Sequence, residues 1–249
     1  MMGNHVAAGH ADAGPSTPEA MLLLGIDTCG PSGSVALGRL SEARSAGLEV
    51  EVLGQIELEG RSYSATLVAA VGDLLARVGL RLKDVGRIVA VNGPGSFTGV
   101  RVGLSAVKGL AEPAATPIVA VSRLEVLAAK AGAPSAALDA HRSEVFLRLA
   151  PPGKEPIELL AGAAELVVLP SPPAEVAICD DGVAGLLHAA WPSVQLVCVP
   201  EPTAADALHL VVPRVRTGDF ADPVLLDGNY LRRSDAEIFG EPVAAARRQ

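Results

Sequence analysis

The chain is 249 residues long, 49% apolar and 19% charged, enough to bury a sizeable core and too apolar for wholesale disorder. Its formal net charge of −8 argues against tight unaided binding to nucleic acid, where lysines and arginines must displace counterions from phosphates. No run of about 18 uncharged apolar residues occurs, so no membrane span is expected; three cysteines without C-x-x-C spacing suit a reducing cytoplasm and offer no zinc site.

Residues 1–20, rich in Gly, Pro, Ser and Ala, lack the basic segment and apolar core of a secretory signal and read as a flexible tail. Order is expected from Met21. M-L-L-L-G-I-D-T (21–28) is a short apolar run ending in a polar turn, as a buried strand does. V-A-L-G-R-L (35–40) continues as a second strand, giving a hairpin with Asp27 at its bend, and E-V-E-V-L-G-Q-I-E-L (49–58) alternates as a third. A helix over 64–79 follows, capped by Ser62 or Ser64, with Leu67, Val71, Leu74, Leu75 and Val78 on one stripe. R-I-V-A-V (87–91) is a strand, a glycine-rich stretch opens a helix over 99–111, and P-I-V-A-V (117–121) is a strand.

The second half repeats this grammar. Strand, turn and strand occupy 135–149 with Asp139 at the bend, and a third strand is expected near 156–160. A short helix near 161–166, a strand at 176–180, a helix at 182–191 and a strand at 194–199 follow. The last helix, from 204, ends or is interrupted near Pro213. The duplication of a whole lobe points to a two-lobed α/β fold of the actin and Hsp70 kind, each lobe a mixed sheet flanked by helices. The expected division is 21–121 for the first lobe, 122–240 for the second and a flexible tail over 241–249.

The stretch V-N-G-P-G-S-F-T-G-V-R-V-G-L-S-A-V-K-G-L-A (91–111) invites a phosphate-loop reading. A Walker loop needs G-x-x-x-x-G-K-[ST], and no Gly-Lys pair follows Gly93 or Gly95; Lys108 lies too far along the helix to reach its start. The dinucleotide pattern G-x-G-x-x-G meets Thr98 where its third glycine belongs. A nucleophile elbow G-x-S-x-G also fails, because Phe97 follows Ser96, and a helix N-cap is the better role for Ser96 or Thr98. Gly99, Gly103 and Ala106 instead make a strip with almost no side chain, which costs a helix roughly 1 kcal/mol per glycine. Close approach of another backbone would compensate that cost, either a partner's helix or this chain's own helix 64–79.

Together these residues resemble the TsaB (YeaZ) family, a bacterial subunit of tRNA threonylcarbamoyladenosine biosynthesis. N-G-P-G-S-F-T-G-V-R-V-G-L-S-A-V-K-G-L-A carries the resemblance, supported by L-L-L-G-I-D-T at 22–28, S-V-A-L at 34–37, A-L-D-A-H-R-S-E-V-F at 137–146 and N-Y-L-R at 229–232. It implies an actin/Hsp70-like fold with no catalysis of its own, paired with a homologous catalytic subunit, TsaD, and an ATPase, TsaE. The complex would modify adenosine 37 of tRNAs reading codons that begin with A, and tRNA would be met only through the complex. Contact would run through helices 64–79 and 99–111, at Tyr63, Leu67, Val71, Gly95, Ser96, Phe97, Thr98, Gly99, Arg101, Gly103 and Ala106. The same helices leave a homodimer open. ATP or ADP would belong to the interface of the complex, with no cofactor of the chain's own.

The histidines support a non-catalytic reading: they stand at 5, 10, 141, 188 and 209, and no two form the His-x-x-x-His pair that holds the catalytic partner's metal. No metal site is expected. Tyr63 stands where the family usually carries histidine. Asp27 is the one candidate for phosphate or metal, weighed against a turn aspartate bonding its own backbone, the favoured role. A free-standing ATP-dependent phosphotransferase of the same superfold is the alternative function, with a peptidase a distant third.

Overall fold

Short unbroken runs of Val, Ile and Leu suit strands buried on both faces, and the chain uses them to build one sheet twice. In the first, β1 (Met21–Asp27), β2 (Ser32–Ala43) and β3 (Gly47–Glu59) form an antiparallel meander. β4 (Arg87–Val91) and β5 (Ile118–Val121) then add in parallel beyond β1, giving the order β3-β2-β1-β4-β5. In the second, β6 (Ser135–Asp139), β7 (Glu144–Leu149) and β8 (Ile157–Gly162) are antiparallel, and β9 (Glu175–Ile178) and β10 (Gln195–Cys198) are parallel to β6. Its order, β8-β7-β6-β9-β10, is the first sheet's order repeated. This is the expected two-lobed actin/Hsp70-like arrangement. The computed structural model describes residues 20–43, 47–60, 62–169 and 171–232, so the expected tails lie outside the described residues apart from Ala20. Among the described residues, no helix is long and apolar enough to cross a membrane.

Among the described residues the α-helices are α1 (Tyr63–Arg77), α2 (Phe97–Ala111), α3 (Arg123–Ala131), α4 (Ala163–Val168), α5 (Asp181–Ala190), α6 (Ala204–Leu210) and α7 (Val212–Thr217). α1 and α2 cover one face of the first sheet, burying Leu67, Val71, Leu74 and Leu75 from one and Val100, Leu104 and Val107 from the other. Two details depart from the sequence reading. Val78 stands at the C-cap and is 37% exposed, because α1 has ended at Arg77. Ser62 occupies the N-cap position, yet its hydroxyl donates back to the Glu59 carbonyl rather than accepting from the helix.

α3 is absent from the sequence reading, although its signals are present. Ser122 accepts from the Leu124 amide at 3.2 Å, and Gly132 ends the helix in the left-handed region. The C-terminal helices correct the expected second lobe of 122–240. Ala204, Ala207, Leu208, Val211 and Val215 join the core of the first sheet, on β1 and β2. Gly25 and Gly38 make that possible: a Cβ on Gly25 would stand 2.9 Å from the Ala204 carbonyl oxygen, and one on Gly38 would stand 3.0 Å from the Leu208 side chain. The second sheet packs α3 on one face and α4 and α5 on the other. Lys130 ties α3 to α6 by bonds to Asp206 and to the Glu201 carbonyl, both 2.9 Å. After α7 the chain runs back along the first lobe, where the Ala221 and Asn229 amides donate to the Ile118 and Asn92 carbonyls.

Candidate functional site

The bend between β1 and β2 is the structural centre of the first lobe. Asp27 Oδ1 accepts the Cys29 amide at 2.8 Å, the turn role expected of it. α2 then closes over the bend. Thr28 Oγ1 donates to the Gly99 carbonyl inside the helix at 2.7 Å, and the Ser96 amide donates to the Cys29 carbonyl at 2.8 Å. Side chains cannot fit here. A Cβ on Gly95 would overlap the Cys29 carbonyl, one on Gly99 the Thr28 carbonyl, and one on Gly103 the Thr28 hydroxyl. The glycine strip therefore accepts this chain's own hairpin, neither a partner nor α1. This closeness offsets the helix-propensity cost of the two interior glycines.

Tyr63 seals the other side. It is buried, and its hydroxyl donates to the Gly30 carbonyl at 2.9 Å. Burial, with Asp27 nearby, pushes its phenol up to about 12, so it remains a donor. Behind it lies an ion pair. Arg123, from the first residue of α3, sets its Nε 3.6 Å from Asp27 Oδ2 and its Nη2 3.2 Å from Glu201, with both Arg123 and Asp27 almost fully buried. Burial raises the Asp27 carboxyl above the usual carboxylate range, against the opposing pull of Arg123 and the Cys29 amide. Asp27 is thus engaged by its own turn and by an arginine.

Arg123 also floors a cleft of about 980 Å³ between the lobes, walled by Phe97, Tyr230, His141, Arg142 and Cys179 among others. Burial lifts the Cys29 thiol well above its ordinary value and the Cys179 thiol to about 11, so neither is a thiolate near neutral pH. Among the described residues, no group of three or more His, Cys, Asp or Glu is placed to hold a metal ion. On the second lobe's lip, Asp139 Oδ1 accepts the His141 amide at 2.7 Å, and His141 is exposed.

The residues expected at a partner contact divide accordingly. Tyr63, Leu67, Val71, Gly99 and Gly103 are buried within the chain, which corrects that expectation for them. Ser96, Phe97, Thr98 and Arg101 are exposed, and Gly95 and Ala106 are half-buried. Ser96 is the N-cap of α2, accepting the Gly99 amide at 3.3 Å. Sequence reasoning missed the opposite face of α1. Ala65, Val68, Ala69, Gly72 and Ala76 recur at helical spacing and all point to solvent, with Val68 60% exposed. A Cβ on Gly72 would meet nothing within 4 Å, and the same holds for Gly109 on α2. The inner stripe is marked by large apolar residues, and the outer one only by small residues.

Residues 52–164 match the family model of TsaD, tRNA N6-adenosine threonylcarbamoyltransferase. The chain is 36% identical over 132 residues to the tRNA threonylcarbamoyladenosine biosynthesis protein TsaB of Escherichia coli, covering 51% of this chain and 53% of that protein. It is 36% identical over 134 residues to the protein of the same name in Bacillus subtilis, covering 52% and 55%. The aligned portion thus spans about half the length of the curated relatives it matches. Among solved structures, YeaZ from Pseudomonas aeruginosa aligns over 85% of this chain and 100% of its own, with a TM-score of 0.66 and 31% identity.

Proposed function

This chain belongs to the TsaB (YeaZ) family, and from that membership we propose that it is a non-catalytic partner subunit in tRNA threonylcarbamoylation. It would act on adenosine 37 of tRNAs reading codons that begin with A, in complex with a catalytic homologue of the TsaD kind and an ATPase of the TsaE kind. Any ATP or ADP would sit at the interface of the assembled complex.

The observation that carries this reading is the solvent face of α1. Along it Ala65, Val68, Ala69, Gly72 and Ala76 form one stripe of small apolar residues, edged by the exposed Thr66, Asp73 and Arg77. An exposed stripe of small apolar side chains gains nothing from water and allows another helix to approach backbone to backbone. The exposed Ser105 and Gly109 of α2 give that helix a small-residue outer surface too. Asp27 supports the same reading against the phosphotransferase alternative, since its carboxylate is already held by Arg123 and its own turn.

Gly72→Leu is the decisive variant. The position is open in the isolated chain, so leucine raises helix propensity by up to about 1 kcal/mol and leaves the fold intact. Native mass measurement of the mixture with the TsaD homologue should give a heterocomplex for the wild type and none for Gly72→Leu. A complex that survives the substitution places the contact elsewhere. ATP turnover by the isolated chain would favour the phosphotransferase. A mass of twice the chain without the homologue, lost on Gly72→Leu, would assign the same face to self-pairing.

A further inference from the structure

We infer that the mouth of the inter-lobe cleft seats an unpaired stretch of RNA, its bases stacked on Phe97 and Tyr230 and its phosphates met by Arg101 and Arg142. The inference rests on the tRNA-modifying role proposed above and names where this subunit itself would touch the RNA.

Phe97 begins α2 yet keeps 42% of its surface in water, and Tyr230 keeps 36%. Their ring centroids lie 5.2 Å apart at 50°, and both rings line the cleft. The Arg101 guanidinium stacks 3.7 Å from the Phe97 centroid and 5.9 Å from that of Tyr230. The pair is held in place rather than loose. The Asn229 amide donates to the Asn92 carbonyl at 2.7 Å, and the Asn229 side chain donates to Glu158 at 2.6 Å. Gly228 leaves room for the Tyr230 ring and Val100, since a Cβ there would stand 2.5 and 2.8 Å from them.

The far lip comes from the β6–β7 turn, where His141, Arg142 and Ser143 take φ of 59°, 56° and 59° in succession. Three left-handed residues without glycine are costly, and the Asp139 bonds to His141 hold the turn in that form. The turn carries Arg142 to the cleft wall, exposed. Among the described residues neither Arg142 nor Arg101 has a carboxylate partner, in a chain whose net charge is −8. Fixed aromatic faces flanked by unpaired guanidinium groups match a base and its phosphate. An apolar protein side chain entering between the lips would instead meet Asp139, His141 and Arg142 on the far wall.

Anisotropy of a labelled seven-nucleotide mixed-sequence RNA, titrated with the full chain at low ionic strength, tests this. Binding should exceed that of the same RNA annealed to its complement by about tenfold or more, because paired bases cannot splay onto the rings. Phe97→Leu and Tyr230→Leu keep apolar bulk and should each weaken binding by about tenfold. Arg142→Gln should lower the slope of log affinity against log salt by about one. Gly72→Leu should leave RNA binding unchanged, so failure of the subunit reading and failure of this one are told apart. Equal affinity for duplex, complete displacement by free AMP, or Phe97 and Tyr230 variants that bind RNA normally would each overturn the inference. So would variants that lose the TsaD homologue instead of RNA, since the rings would then form a protein contact.

Discussion

The two lobes turn their first hairpins with one device and then treat the result in opposite ways. At both bends an aspartate accepts the amide two residues on, Cys29 in the first lobe and His141 in the second. In the first lobe a helix stripped of side chains closes over the bend, and Asp27 is left 2% exposed against Arg123. In the second, among the described residues, no helix closes over the bend, and the side chains of Asp139 and His141 are 43% and 85% exposed. The same turn chemistry thus serves as a buried keystone in one lobe and an open lip in the other. What separates them is the helix packed over the first bend and the left-handed run from His141 to Ser143 in the second.

This contrast can be broken most severely at the cover. Gly103→Leu should destabilise the first lobe by about 3 kcal/mol or more, seen as a lowered thermal midpoint, because the new side chain must displace Thr28. An unaltered midpoint would mean that α2 can slide off the bend. Next come the two aspartates. Asp27→Asn removes the charge facing a buried guanidinium and should cost about 3 kcal/mol. Asp139→Asn at the exposed bend should stay within about 0.5 kcal/mol in denaturant titration. Equal effects would erase the distinction drawn between the lobes.

The smallest effect is at Tyr63. Tyr63→Phe loses one buried hydrogen bond, about 1 kcal/mol near neutral pH. Its folded phenol holds its proton to about 12 against an ordinary 10, so the folded state binds the proton more tightly than the unfolded one. That contribution is complete below pH 10 and is lost as pH rises toward 12. Denaturant midpoints across this window should therefore fall less steeply for Tyr63→Phe than for the wild type.

Local signals made the strands and most helices legible: apolar runs of four to seven residues and caps such as Ser96 act over a few positions. Direction was not legible. Gly99 and Gly103 announce that something lies close to α2, but the neighbour, Thr28, stands 71 residues before Gly99. Periodicity fixes which residues share a face and says nothing of what meets it. α3 begins at the expected lobe boundary, capped by Ser122, and its first residue, Arg123, is the cation at the floor of the cleft. The destination of α6 depended on Gly25 and Gly38 in strands far upstream, which read in isolation as weak strand residues.

α6 and α7 have one more consequence, for the order of events during synthesis. They are translated after the whole second sheet, yet they cover a face of the first. At roughly 5–20 residues per second, β5 waits on the order of 5–20 s for α7 to emerge. Throughout that interval the grooves at Gly25 and Gly38 stand open to the cell. The sheet whose strands are made first is the last to be covered.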